Sequence, residues 1–293
     1  MTGFGLASTN GAGTEFLSTL HPPKGELDEY DNTKPFNQQS NSVPQTFRDA
    51  MSVREEVFGE QGVPLEAEFD EDDARSWHWV VYASVASSAT SPPSELRPET
   101  STSQAEDLRR ASATASRLPV GTIRLIPPPH GANKYIQATE GGGTDKHPDA
   151  DPPPSKAVDK HVKKQHPTEP YIKLGRLAVL APYRRLGLSK LLINAALDWA
   201  SKHAEVIYSP LEPVTMELAN HLGKSAQKAV VWQGLAMIHA QASVAHLWQK
   251  YGFAEELKNE QGEVEITKEA HWVEEGIEHL GMWKRIKVDS GRS

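Results

Sequence analysis

The sequence predicts an α/β fold, a mixed central sheet flanked by helices. Five runs rich in Val, Ile, Leu and aromatic residues read as strands: WHWVVYA (77–83), LPVGTIRLI (118–126), YIKLGRLAVL (171–180), LAMIHAQ (235–241) and HLGMWKRI (279–286). Between and before them, other stretches place apolar residues at helical spacing. Helices interleaved with strands are the pattern of a mixed sheet rather than of a bundle or a sandwich.

Residues 1–44 are rich in Gly, Ser, Thr, Asn and Pro with little periodic apolar content, and are read as a disordered N-terminal tail. Residues 47–58 form a helix with Phe47, Met51, Arg54 and Phe58 near one face. The first two strands follow, separated by 84–117, a stretch dominated by Ser, Ala, Thr and Pro. A second such stretch, 127–169, runs from PPPHGANK through GGGTDKHPDADPPPSK. Neither has the apolar content to offset the entropy of ordering it. Both are read as flexible insertions into one domain spanning 45–287.

After the strand at 171–180, Leu188, Leu191, Leu192, Ala195, Ala196 and Trp199 fall on one helical stripe. Residues 213–228 suggest an extra helix. Val244, Leu247, Trp248 and Tyr251 line the face of a last helix, ended by Gly252.

Composition narrows the function. With no cysteine, disulfides and thiolate metal sites are excluded. A net charge of −8 argues against a general nucleic-acid binder. The N-terminus lacks the basic and apolar regions of a secretory signal, and no window approaches the roughly 20 apolar residues of a membrane span. The expected setting is cytoplasmic or nuclear, with no nucleic-acid or membrane partner; the oligomeric state is not readable.

The most informative stretch is RLAVLAPYRRLGLSKLL (176–192), an apolar strand that meets two arginines and a glycine at the start of a helix. A helix N-terminus exposes unpaired N–H groups and roughly half a positive charge, which suits a phosphate. Arg184, Arg185 and Lys190 add charge around the same turn. GxxxxGK[ST] and GxGxxG are both absent.

Arg184-x-x-Gly187-x-Ser189 resembles the pyrophosphate-binding turn of the GNAT (Gcn5-related) N-acetyltransferase superfamily, although Ser189 departs from the Gly or Ala of that pattern. HAQASVAHLWQKYGF (239–253) is similar to the same family's segment ending in Gly-Phe. VREEVFGEQGVPLEAEFDEDD (53–73) and Gly276-Ile277-Glu278-His279-Leu280-Gly281-Met282 resemble the opening and closing motifs of its ElaA/YjcF-type branch. The resemblance implies the GNAT acyl-CoA N-acyltransferase fold. It implies acetyl-CoA as cosubstrate, no metal, and attack by a primary amine on the thioester in a ternary complex.

It also implies site residues. The strand Leu177-Ala178-Val179 pairs with the pantetheine arm, and a backbone amide near Val179 faces the thioester oxygen. Arg184, Arg185, Leu186, Gly187, Leu188, Ser189 and Lys190 hold the pyrophosphate. An alkyl amine of pKa ~10.4 needs a base, and His279, His239 and Glu275 are the candidates, His279 first because it lies in the closing motif. His78 is a further histidine inside a predicted strand. The family's acid position is occupied by Trp248, which cannot donate a proton at neutral pH; Tyr251, one helical turn away, is the candidate substitute acid, with core packing on the apolar stripe as the other reading.

Residues 45–75 carry ten carboxylates and three arginines. They suggest either an acidic wall that attracts a cationic amine or a solvated acidic loop. His130, His147, His161 and His166 are read as surface residues of the second insertion. Two other readings stand beside the enzyme: a catalytically silent acyl-CoA sensor on the same fold, favoured by Trp248, and an acyl-homoserine-lactone-type synthase, disfavoured by the closing motif.

Overall fold

The computed structural model describes residues 16–86, 115–130, 169–207 and 232–289. Within them a seven-stranded sheet runs in the order β1-β2-β3-β4-β5-β9-β8. The strands are β1 Leu17–Leu20, β2 Trp77–Ala86, β3 Ala115–Ile126, β4 Ile172–Val179, β5 Leu235–Gln241, β8 Trp272–Glu274 and β9 Ile277–Arg285. β6 Leu257–Lys258 and β7 Val264–Ile266 pair separately. Only β4 and β5 are parallel; every other pairing is antiparallel.

Alternation along β2 assigns the helices to opposite faces. Trp77 and Trp79 pack against Trp199 of α2, Leu188–Lys202. His78 meets Phe47, and Tyr82 donates to Asp49, both on α1, Gln45–Gly59. α2 buries Leu192, Ile193, Ala196, Leu197 and Ala200; of the predicted stripe only Leu192 and Ala196 are fully buried, while Leu188, Leu191, Ala195 and Trp199 are partly buried against the core. Its three large buried side chains contribute about 1.5–3 kcal/mol each. Gly121 lets α2 lie close to the sheet, because a Cβ there would stand 3.2 Å from Leu192 Cδ1 and 3.2 Å from Ala178 O. α3, Ala204–Ile207, extends α2, and α4, Ala245–Gln249, follows β5.

The closing motif is a hairpin. β8 and β9 are joined by Glu275 and Gly276, with φ of +50° and +73°, the signs a type I′ turn demands. Met282 then points into the core on the α2 side, fully buried.

Two boundaries read from sequence are corrected. Residues 16–44, assigned to a disordered tail, carry an edge strand paired to β2 and bury Leu27 and Val43 against Phe47 and Met51. The apolar anchors are too widely spaced to raise the local average, and buried Gln39 supplies order by bonding Asp31 and Lys34 backbone groups. The insertion at 84–117 is also shorter at its ends, since β2 and β3 remain paired out to Ala86 and Ala115. The suggested helix at 213–228 lies outside the described residues.

Candidate active site

The site begins with an irregularity in β4. Thr122 and Arg124 of β3 pair with Ala178 and Gly175, so β4 carries one extra residue between them. Arg176 takes it up with φ of +52°, a conformation costly for a side-chain-bearing residue. Ion pairing holds it there. Its guanidinium donates to Ala67 O at 3.2 Å and Asp70 Oδ2 at 3.1 Å, with Glu68 Oε2 at 3.8 Å.

The bulge ends the partnership with β5. Ile172, Lys173 and Leu174 pair with Ala236, Met237 and Ile238, and among the described residues no pairing of the two strands continues beyond. A wedge therefore opens between Gly175–Val179 and His239–Gln241. Strand edges present backbone N–H and C=O groups to whatever enters, so an amide-bearing ligand can lie there as an added strand.

On the α2 side the wedge is rimmed by the predicted turn. After β4 comes a 3₁₀ turn, Ala181–Tyr183, then Arg184 to Gly187, then α2. Arg185 and Gly187 both have positive φ, +66° and +82°. The first helical bond runs from Leu191 N to Gly187 O, and no side chain caps the N-terminus. The early N–H groups, those of Leu188, Ser189 and Lys190 among them, are thus directed out of the helix. A Cβ at Gly187 would meet nothing within 4 Å, so open space, not protein, faces this backbone. Arg184 is committed in part to structure, its Nε donating to Val179 O at 3.0 Å. Arg185, Leu186 and Lys190 are exposed.

The opposite face of the wedge is polar. Lys173, His239 and His279 share it, on β4, β5 and β9, with Gly281 paired to His239 and His279 paired to Gln241. Trp272 stands between the imidazoles, edge-on to His239 at 4.6 Å and stacked on His279 at 6.0 Å. Burial and then the Lys173 charge hold the His239 imidazole well below its ordinary pKa. Burial, joined by the Arg124 charge, pushes Lys173 down to about 8. His279 Nδ1–H donates to Ile277 O at 2.8 Å, which leaves Nε2 with the lone pair in the neutral ring.

The candidate residues do not all converge. β5 borders the wedge directly, whereas β9 lies one strand behind it, so His239 is nearer than His279. Glu275 is consumed by the hairpin turn. Tyr251 lies at the wrong end: it lines a groove with Ser201, Lys284 and Arg285, and Lys284 and Arg285 pair with Ala236 and Leu235 at the start of β5. His279 and Arg285 are separated by six residues of strand, about 20 Å. Trp248 is buried in the core, edge-on to Phe253. His78 is buried, donates from Nε2 to Asp73 O and is brought to about 4 by desolvation, a structural residue.

The acidic segment matches neither of its two readings throughout. Asp73 accepts from Arg54 at 2.8 Å and Arg124 at 2.7 Å, and Asp70 from Arg124 at 2.6 Å and Arg176 at 3.1 Å. Asp49, Glu55 and Asp72 bond Tyr82, Phe36 N and Arg75. Glu68, Asp70 and Asp73 are matched by arginines, two of which, Arg124 and Arg176, lie far outside residues 45–75, whereas Glu56, Glu60, Glu66 and Glu71 are exposed. His130 is likewise no loose surface residue. It stacks on Tyr171 at 4.5 Å and bonds Tyr171 O, and burial lowers it to about 4. His147, His161 and His166 lie outside the described residues.

Residues 73–213 match the model of the acetyltransferase (GNAT) family. Among solved structures, the chain is similar to an acyl-CoA N-acyltransferase from Pseudomonas aeruginosa, 14% identical, with 92% of this chain and 97% of that chain covered and a TM-score of 0.38. It is also similar to ElaA from Escherichia coli, 13% identical, with coverage of 92% and 98% and a TM-score of 0.39. Likenesses at that score say nothing of substrate. Comparison with curated proteins returned no match. Among the described residues no helix is long and apolar enough to cross a membrane, and no group of three or more His, Asp or Glu could hold a metal ion.

Proposed function

Since residues 73–213 belong to the acetyltransferase (GNAT) family, we propose that the chain is an acetyl-CoA-dependent N-acetyltransferase acting on a primary amine. The observation that carries this reading is the wedge between β4 and β5 with an uncapped helix N-terminus on its rim. The pantetheine arm bonds the free edge of β4 along Leu177, Ala178 and Val179, and an amide near Val179 meets the thioester oxygen. The pyrophosphate sits on the N–H groups of Leu188 to Lys190, with Arg184 and Arg185 beside it.

The amine enters from the opposite face. Its nitrogen lone pair attacks the thioester carbon, the C–S bond breaks, and the amine proton passes to His239, the imidazole next to the wedge. CoA leaves as a thiolate of pKa about 8.5, so no dedicated acid is required, in keeping with Trp248 in the core and Tyr251 at the far end. The hairpin built by Gly276-Ile277-Glu278-His279 supports the ElaA/YjcF-type branch.

The deciding experiment mixes the protein with acetyl-CoA and a panel of primary amines and follows release of CoA thiol. Amine-dependent release with a matching acetylated product is expected. Tight acetyl-CoA binding with no turnover across amino acids, polyamines, arylalkylamines and peptides would favour the acyl-CoA sensor.

A further inference from the structure

Glu269 reaches into the polar face of the wedge from the segment before β8. Its Oε2 lies 3.7 Å from His239 Nε2, and neither atom is exposed to solvent. The seat it occupies exists because residue 281 is glycine. A Cβ there would fall 3.0 Å from Glu269 Cδ and closer still to its carboxylate oxygen. Gly281 is the residue of β9 paired to His239. It sits mid-strand, where glycine weakens a sheet and commonly marks the close approach of another group. Trp272, edge-on at 4.6 Å, limits how the imidazole can turn.

We propose that Glu269 and His239 form a carboxylate–imidazole dyad, seated over Gly281, in which Glu269 positions His239 and supports the imidazolium formed when the amine gives up its proton. The proposal rests on the acyl-transfer reading above. A desolvated imidazole accepts a proton poorly, and Lys173 on β4 makes it poorer still. Glu274 on β8 works the other way, while His279 on β9 opposes protonation. A carboxylate against the far ring nitrogen offsets this penalty without itself taking the proton. The 3.7 Å separation is slightly beyond hydrogen-bond range, and catalytic hydrogen bonds commonly close only when substrate is bound. Glu269 is thus a positioning residue, and Gly281 the residue that makes room for it.

The test is NMR titration of the His239 imidazole in the full chain, beside the pH profile of CoA-thiol release for any amine that turns over. Glu269→Gln should lower the His239 pKa by about one unit or more. Gly281→Ala, which keeps every ionisable group but fills the seat, should shift it in the same direction. Thermal midpoints and acetyl-CoA affinity establish that both variants are folded. With an active amine, Glu269→Gln should lower kcat/KM about tenfold or more and move its acidic limb to lower pH. Glu269→Asp should recover part of the loss. An unchanged His239 titration in folded Glu269→Gln overturns the dyad while leaving acyl transfer intact. A shifted titration in a protein that acetylates no amine keeps the dyad and removes the transfer reading instead.

Discussion

Asp73→Asn isolates the charge network that fixes the bulged strand. Asp73 is fully buried and accepts from Arg54 at 2.8 and 3.2 Å, Arg124 at 2.7 Å and Asp70 N at 3.0 Å. An amide has one acceptor oxygen and turns an N–H₂ toward guanidiniums that only donate. Arg54 and Arg124 then stay buried without full compensation, a defect of about 3–5 kcal/mol. Asp70 still holds Arg124, so the lower end is expected. On a domain stable by about 5–15 kcal/mol this is a large fraction. The pH dependence gives a second handle. Burial alone would raise the Asp73 carboxyl, but the charges of Arg124 and Arg54 outweigh it and bring it down to about 2 from an ordinary 3.8. Its stabilisation is therefore complete above pH ~4 and lost as pH falls through 2, worth about 2–3 kcal/mol. Asp70, also depressed because Arg124 and Arg176 overcome its burial, adds loss in the same direction. Urea unfolding of both proteins at pH 7 and between pH 4 and 2 measures each quantity. The variant should be weaker at pH 7 and show the shallower acid slope. A loss under about 1 kcal/mol at pH 7 with an unchanged acid slope would refute the network as a stabilising device.

Two predictions concern the wedge and its faces. Gly187→Val imposes a β-branched residue on φ of +82° and places a side chain where the backbone is open, so acetyl-CoA affinity should fall at least about tenfold; calorimetric titration that finds wild-type affinity removes the turn from the site. His239→Ala should lower turnover by roughly 10²–10⁴-fold, and His279→Ala by much less, with CoA affinity retained in both; the reverse order in steady-state rates would return the base role to His279.

Five of the strands and α2 were legible because burial leaves a periodic signature: LAMIHAQ is β5 residue for residue; β1 and the short β6, β7 and β8 were not. The turn at 184–190 was legible for a different reason, since charge and glycine at a strand-to-helix junction have no packing role to explain them. Long-range devices were not. The bulge at Arg176 depends on Asp70 and Ala67, more than a hundred residues earlier, and an arginine gives no local sign of positive φ. The pairing within the acidic segment was not legible because two of its arginine partners, Arg124 and Arg176, lie on strands outside it. Trp248 lies in α4 and Tyr251 in the turn just after it, both following β5, but sequence spacing does not say which end of the sheet a residue reaches. Glu269 was missed although Gly281, a glycine inside a strand, was its available signal.

Hydrogen exchange with and without acetyl-CoA tests most directly whether the coenzyme enters between β4 and β5. New protection is expected at Gly175–Val179, the free edge of β4, and at residues 187–190 at the start of α2, with little change in β1 and β2. Binding that protects neither stretch, or that maps to the groove around Tyr251 and Lys284, would contradict it.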